Sequence, residues 1–154
     1  MEIHIDWLAP FTLRDGRNDL LTYTFEGIDS LSNDAGIYVF GRRHGQIFTP
    51  LYIGKAENLS RRISQQLNNN RLMNALAQAP SGQRELLIGE LHAKRGQQTD
   101  RVLRILESGL IKLALAQGND IFNVHGTRIQ SHTTLMTGNR LSRSWLPARE
   151  LQFE

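Results

Sequence analysis

Two short stretches constrain the fold of this chain more than any other feature. Gly36 to Phe40 and Pro50 to Gly54 are rich in β-branched and aromatic residues, and Gly41 to Gly45 between them is basic and turn-prone. The pattern predicts a hairpin-like strand pair with a long loop. Side chains alternate along a strand, so Tyr38 falls on the face opposite Ile37 and Val39, and Tyr52 on the face opposite Leu51 and Ile53. The aliphatic residues then face a core, and the two tyrosines share the other side.

Helical patterns follow. Asn58 is placed to cap a helix whose Leu59, Ile63 and Leu67 repeat every four residues, with Arg61 and Arg62 beside that stripe. An amide-rich stretch from Gln65 to Asn70 reads as the loop ending it, and Arg71 to Ala79 as a second short helix. Glu85 to Leu91 reads as a strand. Thr99 or Asp100 is expected to cap a long helix that runs to about Gln117 and stops at Gly118. Ahead of the hairpin, Ile3, Ile5 and Trp7, and then Leu21, Tyr23 and Phe25, alternate as strands do. After Ile121, Phe122 and Asn123 the chain reads as extended pieces and loops.

With 154 residues and 40% apolar side chains, one compact domain with a real core is expected. The chain has no cysteine, which excludes disulfides, thiolate zinc sites and thiol nucleophiles and leaves oxygen, nitrogen and hard metal ions for any chemistry. The apolar runs are too short to span a bilayer, and Glu2 and Asp6 stand where a signal peptide carries positive charge, so a cytoplasmic protein with no membrane partner is expected. Of the 18 basic residues, 15 are Arg, whose planar fork suits phosphate, although genomic composition accounts for the count equally well.

Glu107 lies three and four residues before Leu110 and Ile111 and four after Leu103, so it borders the buried face of the long helix and needs a cationic partner. A neighbouring Arg and a divalent ion both satisfy that need. Arg42, Arg43 and His44 form a basic cluster near the tyrosines, read either as contacts to a nucleic-acid backbone or as an ordinary solvated loop. Arg128, Arg140, Arg143 and Arg149 are candidates to extend such a footprint. His125 and His132, seven residues apart with no third ligand apparent, do not make a zinc site.

Gly36-Ile37-Tyr38, then Tyr52-Ile53-Gly54, Arg62 ten residues after Tyr52, Glu107 within the long helix and Asn123 after it occur in one order at fitting spacing. In this the chain resembles the GIY-YIG endonuclease family over about residues 34–124, with 1–33 and 125–154 as additions to that core within a single domain. The resemblance implies an α/β fold with a small antiparallel sheet, three-stranded at its core, flanked by helices. It also implies a metal-dependent endonuclease acting on DNA, with RNA as the other candidate polymer, through one Mg²⁺ or Mn²⁺ ion held by Glu107. Tyr38 or Tyr52 would help deprotonate the attacking water, Arg62 would clamp the scissile phosphate, and Lys55 and Asn123 would belong to the same site. Arg42, Arg43, His44 and Arg61 are the expected nucleic-acid contacts. The family often carries His or Tyr fourteen residues after the second tyrosine, where this chain has Gln66. That departure keeps open a module that binds nucleic acid without cutting it.

Overall fold

The computed structural model describes residues 1–123, 132–137, 141–146 and 150–153. Among the described residues there are nine strands: β1 (Glu2–Trp7), β2 (Phe11–Thr12), β3 (Arg14–Asp15), β4 (Tyr23–Thr24), β5 (Gly36–His44), β6 (Ile47–Ala56), β7 (Gln83–His92), β8 (His132–Thr137) and β9 (Glu150–Phe153). Three α-helices, α1 (Leu59–Leu67), α2 (Asn70–Gln78) and α3 (Thr99–Ala116), complete a mixed α/β architecture. None of the described helices is long and apolar enough to cross a membrane.

The hairpin predicted from alternation is β5 and β6, but both strands run further than expected. Pairing continues through Arg42, Arg43 and His44 to a two-residue turn at Gly45 and Gln46. Gly45 has φ +62°, a conformation that glycine adopts without the Cβ penalty. The basic cluster therefore lies on a strand and not in a loop. A bulge interrupts the register between Phe40 and Gly41, so that Phe40 pairs with Tyr52 and Gly41 with Pro50, leaving Leu51 as the extra residue. Leu51 consequently joins the same apolar cluster as Tyr38, and not the Ile53 side that strict alternation assigns to it.

β7 pairs with the other edge of β5, giving a three-stranded antiparallel centre in the order β6-β5-β7. The N-terminal segment is built onto this sheet. β1 lies antiparallel to β7 between His92 and Gly89, and β2 takes up the same edge further along, at Leu86 and Glu85. β8 then joins β1 in the one parallel pairing among the described strands, and β9 follows β8 antiparallel. Tyr23 and Thr24 instead pair with Arg14 and Asp15 in a separate small ribbon.

Both faces of the sheet are covered. Ile37, Val39, Ile53, Leu87, Ile3 and Ile5 pack against Leu103, Leu106, Leu110 and Ala114 of α3. On the other face Tyr38, Phe40, Leu86 and Ile88 pack against Leu59, Ile63 and Leu67 of α1 and against Leu72, Met73 and Leu76 of α2. The face shared by the tyrosines is thus a second core, in which Tyr38 is fully buried. The helix starts are locally encoded: the Asn58 side chain accepts from Arg61 N, and the Asn69 side chain from Leu72 N. Asn69, expected to end a helix, therefore also begins one. At α3 the cap position belongs to Gln98, whose side chain makes no capping bond; Thr99 is already helical, and Asp100 sits in the first turn where a carboxylate complements the helix dipole.

Gly54 pairs with Tyr38 across the hairpin, and a Cβ at Gly54 would overlap the Tyr38 ring and hydroxyl. Backbone and ring are both fixed by the sheet, so neither yields cheaply. Gly54→Ala is expected to lower unfolding free energy by about 1–3 kcal/mol; an unchanged denaturation midpoint would contradict this packing.

Candidate active site

A cleft of about 470 Å³ opens where α1, from one face of the sheet, and α3, from the other, reach the edge strand β6. Tyr38 comes from β5, Tyr52 and Lys55 from β6, Arg61 and Arg62 from α1, and Glu107 from α3; Asn123 closes the edge. Tyr38, Tyr52, Arg62 and Glu107, separated by up to 69 residues (107 − 38), line this one space. Glu57, Asn58 and Gln65, which the sequence did not single out for the site, line it too.

The two phenols lie on the floor. Their ring centroids are 6.2 Å apart, with the planes tilted by 30°. Gln66, the residue that departs from the family pattern, is only 3% exposed and holds both: its Nε2 donates to the Tyr38 hydroxyl at 2.7 Å and, more weakly, to the Tyr52 hydroxyl at 3.4 Å. Its Oε1 in turn accepts from Asn69 Nδ2 at 3.1 Å. Gln66 lies within α1, one turn from Ile63 on its buried side, and not in the helix-ending loop expected from the amide-rich stretch; extending the apolar stripe by one turn was the signal that could have found it.

Burial pushes the Tyr38 phenol up to about 12, and the neighbouring Tyr52 adds to the rise, while the Gln66 amide and the Arg62 guanidinium pull it partly back. Tyr38 is accordingly a protonated hydrogen-bonding group at neutral pH. Arg62, exposed at the rim, has its own pKa raised above the usual arginine value, first by the Tyr38 hydroxyl and then, against some desolvation, by the charges of Tyr38, Tyr52 and Glu107. The guanidinium thus faces the phenol oxygens and the α3 carboxylate together.

Lys55 also lines the cleft, and its Nζ lies 3.3 Å from Asp100 Oδ1 at the start of α3; Asp100 Oδ2 is 2.6 Å from Arg104 Nη2. Lys55 therefore ties β6 to α3 in addition to supplying positive charge. Asn123 ties its segment to a strand and not to the helix: its Oδ1 accepts from Ile53 N at 3.3 Å, and its Nδ2 donates to the Ile53 carbonyl.

The hairpin-tip cations stand outside the cleft lining. Arg42 Nη1 donates to the Ser81 carbonyl at 2.9 Å, and Arg43 Nη2 is 2.9 Å from Glu85, a carboxylate only 1% exposed. Such a carboxylate needs a charged partner, and this assigns Arg43 a structural task. His44 is exposed on the same strand. His125, Arg128, Arg140 and Arg149 lie outside the described residues, as do the side chains of His132 and Arg143.

Among the described residues no group of three or more His, Asp or Glu side chains converges in the way a metal cage requires. Glu107 is the carboxylate that α3 contributes to the cleft lined by both tyrosines, and a single protein carboxylate suits a different arrangement, in which a hydrated hard cation takes that carboxylate and shares a phosphate ligand. No family model, no curated protein and no solved structure matches this chain.

The Tyr38 phenol gives a direct test of this geometry. In the unfolded chain it titrates near 10, in the fold at about 12. Its contribution to stability is complete below about pH 10, and it falls by roughly 3 kcal/mol as pH rises to about 12, because the unfolded state releases its proton first. Absorbance titration of the chain's three tyrosines should show a late component near pH 12 that Tyr38→Phe removes.

Proposed function

We propose that this chain is a metal-dependent endonuclease of the GIY-YIG type that hydrolyses phosphodiester bonds in nucleic acid, DNA in the first place. The observation that carries the proposal is the convergence of Tyr38, Tyr52, Arg62 and Glu107, from two strands and two helices, on one cleft. The three-stranded antiparallel centre with helices on both faces supports the same reading.

Phosphodiester hydrolysis needs a positioned water, compensation of charge on the phosphoryl oxygens and relief of charge on the departing oxygen. Arg62 at the rim offers a planar pair of N–H donors for two phosphoryl oxygens. Lys55, Arg61 and Arg62 put three cations on the lining against the carboxylates of Glu57 and Glu107. Tyr52 is half-buried and lines the cleft, whereas Tyr38 is sealed and held protonated, so Tyr52 is the phenol suited to orient and accept from the attacking water. Tyr38 fixes the Tyr52 side of the floor through Gln66. Glu107 is the residue that would hold Mg²⁺ or Mn²⁺, which when bound supplies Lewis-acid charge to the phosphate and the leaving oxygen.

One observation favours a second reading, a module that binds nucleic acid without cutting. Gln66, buried against both phenols, has no titrating proton, and Tyr38 is held protonated, so neither serves in acid–base work.

Incubation of the purified chain with supercoiled, branched and single-stranded DNA and with RNA, in Mg²⁺ or Mn²⁺, separates the two. Metal-dependent cutting is expected, reduced about 10²- to 10³-fold by Arg62→Ala and abolished by Glu107→Ala. Cutting that survives both substitutions rejects the site. Salt-sensitive binding with no cutting of any substrate selects the binding module.

A further inference from the structure

A second cleft, of about 580 Å³, adjoins the first and shares Tyr52 and Asn123 with it. Its composition is different: Leu72 and Ala75 of α2 and Phe122 supply apolar surface, while Asn69 and Arg71 supply polar groups at the start of α2. Phe122 is among the few large apolar side chains that the described residues expose, at 37%.

Phe122 is also held in place. Its backbone N–H donates to the Leu51 carbonyl at 2.7 Å, and the next residue, Asn123, is bonded to both peptide groups of Ile53. The ring therefore stands on a fixed backbone, and little conformational freedom is lost when something stacks on it. A pre-positioned aromatic surface with a guanidinium nearby, continuous with a phosphate-sized cationic cleft, matches how unpaired bases are held: the ring takes the base face and the cation takes the adjoining phosphate.

We propose that this second cleft seats the base of a nucleotide next to the one whose phosphate occupies the first cleft, with Phe122 stacked on the base and Arg71 at its phosphate. The inference rests on the nucleic-acid reading of the first cleft and narrows its substrate class. In a continuous duplex each base face is covered by its neighbours, so a base that stacks on Phe122 belongs to a single-stranded, frayed or branched segment. The preference is for unpaired structure and not for base identity, because every base has a π-face.

The test reads binding apart from cutting. Short dye-labelled single-stranded DNAs, intact or carrying one abasic position moved stepwise along the strand, are titrated with the chain in EDTA by fluorescence anisotropy. For the wild type, one abasic position should weaken binding roughly ten-fold. Phe122→Ala should weaken the intact strand by a similar factor and erase the dependence on abasic position; Phe122→Leu, which keeps apolar bulk, should do the same. Arg71→Ala should reduce the slope of log affinity against log salt by about one phosphate contact. Wild-type affinity in both Phe122 variants, a positional effect that persists in them, or no binding of single strands at all overturns the proposal. Metal-dependent cutting that needs Arg62 and Glu107 but ignores Phe122 removes the base seat alone. Position-dependent binding through Phe122 by a chain that cuts nothing removes the nuclease reading alone.

Discussion

The hydrogen bond from Gln66 Nε2 to the Tyr38 hydroxyl, 2.7 Å long and sealed from solvent, is the contact on which the cleft depends. It belongs to a chain of side chains: Tyr38 on β5 meets Gln66 on α1, Gln66 meets Asn69, and Asn69 caps α2 through Leu72 N. One polar line thus fixes the hairpin, the cleft helix and the start of the next helix. Leaving either buried partner unsatisfied costs about 1–3 kcal/mol, so the amide and the phenol hold each other in register. Gly54 completes the arrangement, since the space that any side chain there would fill is taken by the Tyr38 ring.

The charges divide by the same logic. Arg43 answers the buried Glu85, and Arg42 bonds a carbonyl, which commits the hairpin tip to holding β5, β7 and the Ser81 turn together. Lys55 shares Asp100 with Arg104 at the dipole-positive start of α3, so its charge is partly answered where it stands. Arg62 instead stands exposed on the cleft lining, with the Tyr38 and Tyr52 phenols and the Glu107 carboxylate around it. The distinction cannot be drawn from the count of arginines, because it depends on which element carries each side chain and what lies within its reach.

Much of this was legible in the residues. Alternation found the hairpin, the four-residue spacing found α1, and Asn58 announced its cap; that Tyr38, Tyr52, Arg62 and Glu107 line one cleft was an expectation carried by the family resemblance alone. What escaped was non-local. The bulge that moves Leu51 depends on the pairing of Phe40 with Tyr52 and of Gly41 with Pro50, and periodicity within β6 alone cannot register that β5 leaves one of its residues without a partner. The hairpin loop was overestimated because Arg42, Arg43 and His44 look turn-like, yet their strand conformation is fixed by β7, which arrives about forty residues later and pairs with Arg42 and Arg43. Gln66 read as a loss relative to a titratable side chain; only the buried face of α1, set against two phenols from the hairpin, turns it into a hub.

The edge of β6 shows how the two clefts come to share a wall. An edge strand presents unpaired peptide groups, and here they meet a side chain instead of another full strand. The Asn123 amide carries one donor group and one acceptor, the same complement as a peptide unit, and it satisfies both polar groups of Ile53. With Phe122 N–H on the Leu51 carbonyl, two residues cover the stretch of edge exposed beside Tyr52. The Phe122 ring lines the groove between β6 and α2, and Tyr52 and Asn123 form the divide between a polar cleft and a more apolar one.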